Sequence, residues 1–105
     1  MNATVEQLAP VEQQATTSWV VAALYQFKEV QDPADLQQRL LELVNSINLC
    51  GTLIVAGEGI NGTVAGDRKA IDQIDAFLLN EGFNAMEYKE SHSDEKPFRK
   101  MKIKL

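Results

Sequence analysis

Residues 51–66 read GTLIVAGEGINGTVAG, and this stretch decides how the rest of the chain is organised. Thr52 to Ala56 is an apolar run of strand length. Gly57 to Gly62 is a turn, with Asn61-Gly62 able to take the left-handed conformations a tight reversal needs, and Thr63 to Ala65 returns as a strand. The string Gly57-Glu58-Gly59-Ile60-Asn61-Gly62 is also a literal G-x-G-x-x-G. A dinucleotide fingerprint requires its third glycine to open a helix whose amino terminus holds a pyrophosphate. Here Thr63-Val64-Ala65 continues as strand, and Glu58 would repel phosphate. A kinase glycine-rich loop does sit in a hairpin, but no V-A-I-K, H-R-D or D-F-G element follows. The better account is a hairpin whose glycines answer backbone demands, with Glu58 and Asn61 at its tip as candidates for contact with a substrate or a neighbouring domain.

Outward from this hairpin, each flank offers a helix and a strand. Trp19 to Val30 begins as a near-continuous apolar run and fades to alternation, as a central strand does. Asp32 is a good N-cap, Pro33 suits the first helical position and Asp35 favours the positive helix start. Leu36, Leu40, Leu43, Val44 and Ile47 then form one apolar stripe, with Gly51 as a stop signal. Gly66-Asp67 opens a second helix with Ile71, Ile74, Phe77 and Leu78 inward, ending near Gly82. Ala85 to Ser91 is a further strand, and Arg99 to Leu105 alternates, with Lys100, Lys102 and Lys104 on one face. The predicted fold is α+β: a ferredoxin-like, or acylphosphatase-like, split β-α-β sandwich. Its antiparallel sheet carries both helices on one face and one extra C-terminal strand. Residues 1–17 read as a flexible polar leader and residues 18–105 as the domain. The last strand is still in stride at Leu105, as in a piece of a longer protein.

The chain has 105 residues, one domain's worth, and no apolar run long enough to span a membrane. The leader lacks the basic and apolar segments of a secretory signal, and the single cysteine, Cys50, permits no internal disulfide. A cytoplasmic location is therefore expected. The net charge of −5 is unevenly spread, because the last ten residues carry Lys96, Arg99, Lys100, Lys102 and Lys104 without an acid. Such an end can orient an anionic partner that the acidic body repels. Lysines also protect an edge strand from pairing with other chains, and both accounts stay open.

Nothing among the remaining chemistry-bearing residues assembles a catalytic site. Cys50 has no His or basic neighbour in sequence and is expected to be a buried structural thiol. His92, the only histidine, is placed in a charged loop with no second candidate ligand beside it, so no metal site is expected. Among small domains of this topology an acylphosphatase needs an arginine in the loop after the first strand. Glu29-Val30-Gln31-Asp32 offers none. An RNA-recognition motif needs aromatics on its central strand; Gly62-Thr63-Val64-Ala65 has none, and Tyr25 and Phe27 are assigned to the core.

GTLIVAGEGINGTVAG together with YKESHSDEKPFRKMKIKL, residues 88–105, closely resembles the amino-terminal domain of the bacterial tRNA wobble-uridine hydroxylase family. The likeness covers most of residues 19–105, including Tyr25-Gln26-Phe27 and the Asp32-Pro33 helix start. It implies a part in oxygen-dependent 5-hydroxylation of the wobble uridine, with tRNA (through its anticodon region) and a following rhodanese-like domain as partners; no metal or organic cofactor is carried over from it, and none is expected. A rhodanese loop places Arg five residues after its reactive Cys; Val55 stands there after Cys50, so this chain alone is expected to be inactive. Arg99, Lys100, Lys102 and Lys104 are the candidate RNA contacts, since cations on alternate strand residues lie about 7 Å apart, close to single-strand phosphate spacing. The alternatives are a structural interdomain or dimerisation module and a stand-alone acylphosphatase-type enzyme.

Overall fold

The computed structural model describes residues 18–105, so the expected leader lies outside the described residues. Five strands and two helices follow in the order β1 (Trp19–Phe27), α1 (Pro33–Val44), β2 (Leu49–Ala56), β3 (Gly59–Gly66), α2 (Arg68–Asn80), β4 (Glu87–Ser93) and β5 (Met101–Lys104). Across the sheet the strands lie β4-β1-β3-β2-β5. The first four strands with the two helices make the split β-α-β sandwich expected from sequence, with β3 at the centre.

Both helix starts behave as their sequences demand. The Asp32 carboxylate accepts from the Asp35 amide at 3.1 Å, and the Asp67 carboxylate from the Ala70 amide at 2.7 Å. Each bond satisfies an amide that has no partner inside the first helical turn. Leu36 and Leu40 of α1, with Ile71, Ile74 and Leu78 of α2, bury against Leu24, Leu53, Val55 and Val64 of the sheet. This is the single core. Strand alternation puts the remaining side chains on the face away from the helices.

The hairpin differs from its sequence reading in one consequential way. Only Gly57 and Glu58 lie between β2 and β3, and Asn61 and Gly62 are inside β3, paired with Ile54 and Leu53. The reason is close backbone approach. Gly59 has φ +151° and Gly62 φ +155°; a β-carbon would stand 2.1 Å from the Gln26 carbonyl oxygen at the first and 2.1 Å from that of Thr52 at the second. Gly51 likewise falls within β2 and does not end the preceding helix, which stops at Val44.

The extra strand is also placed differently. The sheet was expected to be antiparallel, but β5 joins β2 in parallel, Gly51 opposite Met101 and Ile54 opposite Lys104. Strand β4 ends beside Trp19, at the end of the sheet where β2 begins. Residues 94–100 carry the chain from one edge to the other at that end, so β5 must run the same way as β2. The Gln37 side-chain amide donates to the Ile103 carbonyl oxygen at 2.7 Å, tying this short edge strand to α1.

The glycine geometry yields a stability test. Gly62→Ala is expected to destabilise the fold by about 2 kcal/mol or more, through strained φ and a backbone clash. For a domain of this size that lowers Tm by roughly 10 °C. Gly57→Ala, where a β-carbon meets no atom within 4 Å, is expected to stay within about 0.5 kcal/mol. Thermal unfolding followed by circular dichroism checks both.

Candidate nucleic-acid interface

Charge and alternate spacing along a strand single out the C-terminal cations, and the fold decides which of them meet. Arg99, Lys100 and Lys102 line one open concavity of about 660 Å³ with Gly51, Thr52 and Phe98. Lys102 and Lys104 project from β5 on the face away from the helices, because Met101 and Ile103, which alternate with them, point to the core. Lys104 stands beyond the concavity, opposite Ile54. All four cations are exposed. Among the described residues the ion pairs are made by Arg39 and Arg68, so these C-terminal charges remain available to an anion.

Glu58 and Asn61 come together elsewhere. They line a second open concavity of about 750 Å³ over the helix-free face, with Tyr25, Phe27, Ile54 and Thr63. Its aromatics correct the sequence reading: Tyr25 is 47% and Phe27 78% exposed. Neither belongs to the core, because odd-numbered positions of β1 face away from the helices. The two rings sit edge to face with centroids 5.9 Å apart. Thr52 borders the first concavity and its cross-strand partner Thr63 the second, so the two surfaces are continuous.

The same face is closed at its other end. Cys50 is buried, its thiol 3.5 Å from the Ala65 carbonyl oxygen. Burial pushes the thiol up, against weaker opposing effects from the Phe98 backbone and the Lys96 charge. Cys50 is a buried strand residue, and the upward shift disfavours the thiolate that a nucleophile needs. His92 lies on β4 opposite Val20, a correction to its expected place in a loop. Among the described residues no group of three His, Cys, Asp or Glu side chains is arranged to hold a metal ion. No helix among them is long and apolar enough to cross a membrane.

Two clusters that sequence reasoning missed lie on the helix side. Arg39 pairs with Asp35 at 2.9 Å and with both oxygens of Glu81, beside the loop of residues 28–32. Arg68 is held by Asp72 and, in bidentate fashion, by Glu90 at 2.7 and 3.0 Å. The Tyr88 hydroxyl donates to Glu90 at 2.6 Å; burial, then Glu90 and Asp75, push this phenol well above its ordinary value. Asp75 is itself raised by burial. The i,i+4 spacing of Asp35 with Arg39 and of Arg68 with Asp72 was visible in the sequence; the long-range partners were not.

A family model described as "UPF0176 acylphosphatase like domain" matches residues 19–105. The chain belongs to that family. It is 90% identical over all of its 105 residues to a tRNA uridine(34) hydroxylase of Acinetobacter baumannii, of which it covers 33%. With the Deinococcus radiodurans protein of the same name it shares 54% over 96 residues, 91% of this chain and 32% of the relative. The chain thus spans about a third of the length of these relatives, and the amino-terminal domain expected from the resemblance is what it matches. Among solved structures, full-length HypF in a phosphate- and nucleotide-bound form matches with TM-score 0.57 at 19% identity, over 81% of this chain and 12% of that one. A Coxiella burnetii acylphosphatase matches with TM-score 0.52 at 12% identity, over 88% and 98%. These two likenesses concern the fold.

Acylphosphatase chemistry does not follow from the fold. The hollow beside the loop after β1 is lined by Glu29, Asp32, Asp35 and Glu81 against Lys28 and one arginine, Arg39, which is held by two of the carboxylates. Four carboxylates there oppose an acyl phosphate.

The Arg68 cluster gives a pH test. Arg68, and secondly Tyr88, hold the Glu90 carboxyl down at about 2 against an ordinary value of 4.5. A depressed carboxyl stabilises the fold above its unfolded pKa, and the contribution is lost as pH falls through its folded one. Glu90→Gln is therefore expected to be less stable than the unsubstituted chain at pH 7, with the gap closing between about pH 4.5 and pH 2. Urea unfolding across that range measures it.

Proposed function

We propose that this chain positions tRNA for a wobble-uridine hydroxylase and contributes no catalytic group of its own. The observation that carries this reading is the convergence of Arg99, Lys100 and Lys102 on one concavity, with Lys104 continuing the line. Three features support it together: cations that make no ion pair among the described residues, an acidic remainder that repels phosphate elsewhere, and relatives named for action on a tRNA uridine. The net charge of −5 opposes indiscriminate RNA binding and favours attachment at one edge.

On this reading the anticodon region is the RNA partner, and oxygen-dependent 5-hydroxylation belongs to the remainder of the protein. A rhodanese-like domain supplies the reactive cysteine there, in the cytoplasm. Glu58, at the hairpin tip, faces the substrate or that domain. A purely structural role is the second reading, favoured by the position of β5 at the sheet edge, where lysines discourage pairing with other chains.

Lys100→Gln/Lys102→Gln/Lys104→Gln separates the two. If the lysines hold phosphates, the triple variant is expected to lower tRNA hydroxylation by the whole enzyme. It should also flatten the logarithmic salt dependence of anticodon stem-loop binding by about two, at ~0.7 per single-strand phosphate contact. Unchanged hydroxylation and an unchanged salt slope would assign the stripe to edge protection. An amide chemical-shift titration with the stem-loop at two salt concentrations gives the same comparison residue by residue.

A further inference from the structure

Strand register sets the helix-free face out in rows. One row runs Glu87, Tyr25, Asn61, Ile54, Lys104 from β4 to β5; the next runs Lys89, Ala23, Thr63, Thr52, Lys102. The second row is a trough with a lysine on each bank and small or hydroxyl side chains as its floor. Its banks are four strand intervals apart, about 19 Å. The first row places an exposed aromatic ring next to an exposed amide, and Phe27 follows two residues further along β1.

We propose that this face is a base-stacking platform for an unpaired RNA segment, with Tyr25 and Phe27 receiving bases, Asn61 meeting a base edge, and Lys102 and Lys104 holding the backbone. The inference rests on the tRNA-positioning reading and extends it from phosphates to bases. Exposed aromatics accept any base on their π-faces, and a neighbouring groove of cations tracks the backbone. Asn61 carries both a donor and an acceptor, the pair needed for a base's hydrogen-bonding edge. Lys104 is three strand intervals, about 14 Å, from Tyr25, so a base on that ring leaves the phosphates of the following nucleotides to the lysine edge. Glu87 at the opposite end of the row and Glu58 at the hairpin tip repel phosphate. The backbone is thereby directed along the β2–β5 side. Double-stranded RNA does not fit this arrangement, since its bases are stacked on one another and their faces are closed.

The test measures binding of the full 105-residue chain to two labelled RNA hairpins at fixed salt by fluorescence anisotropy. One has an ordinary seven-nucleotide loop and the other the same loop made abasic. The platform predicts that removing the bases weakens binding about ten-fold or more. Tyr25→Ala/Phe27→Ala is expected to bind both hairpins alike, at the weaker level, and Tyr25→Phe/Phe27→Tyr to restore the preference; circular dichroism verifies that each variant is folded. Equal affinity of the unsubstituted chain for both hairpins, still lowered by salt, would overturn the platform and leave phosphate-mediated positioning standing. Binding to neither hairpin at low salt would overturn both, and would make protein–protein packing the use of this face. A Tyr25→Ala/Phe27→Ala variant that keeps the full preference for the base-bearing loop would also overturn the platform.

Discussion

At Gly62 a β-carbon would stand 2.1 Å from the Thr52 carbonyl oxygen, and at Gly59 equally close to that of Gln26. Strand β3 lies between β1 and β2, so these two bare positions let its backbone approach both neighbours where a side chain would hold them apart. Everything else is hung on that strand. Its helix-side residues Ile60 and Val64 meet α1 and α2 through one core, and its other face supplies Asn61 and Thr63 to the open concavity. A glycine spacing that elsewhere admits a pyrophosphate here admits neighbouring strands. Glu58 at the tip adds an electrostatic obstacle to phosphate.

The charge distribution follows from the two-layer architecture. On the helix layer each arginine is matched by carboxylates, Arg39 by Asp35 and Glu81, Arg68 by Asp72 and Glu90. The i,i+4 pairs are exposed and add little stability singly, but with the half-buried Glu81 and Glu90 they engage both arginines and leave the helix side acidic. Lysines 102 and 104 emerge on the opposite layer, where strand alternation carries them. One face of the sheet therefore differs from the body in sign as well as in shape, although the chain as a whole is an anion.

Much of the fold was legible because local chemistry determines it. Asp32-Pro33 and Asp67 mark helix starts through orphan amides, and the apolar spacing of Leu36, Leu40, Ile71 and Ile74 marks the inward stripes. The hairpin was legible as a hairpin, but its tip was misplaced, because Asn61-Gly62 is a turn signal locally and a close-approach site once β1 and β2 are in position. The parallel sense of β5 follows from where residues 94–100 cross, which no local pattern encodes. Tyr25 and Phe27 were assigned to the core because a sequence gives alternation without saying which side the helices cover. The row from Tyr25 through Asn61 and Ile54 to Lys104 joins four strands that are neighbours in the sheet but do not follow in that order along the chain. Only the assembled register brings those residues into line.

Cys50 is the only thiol in the chain, and it sits inside the sheet sandwiched between Ala65 and the crossing segment at Phe98. Its inertness has a practical side. A second cysteine introduced on the open surface would be the one accessible thiol, because thiol reagents require an exposed thiolate. Maleimide-linked fluorophores or spin labels could then be installed at a chosen point without first deleting the native residue, and inter-residue distances on this face could be measured in the otherwise unaltered chain.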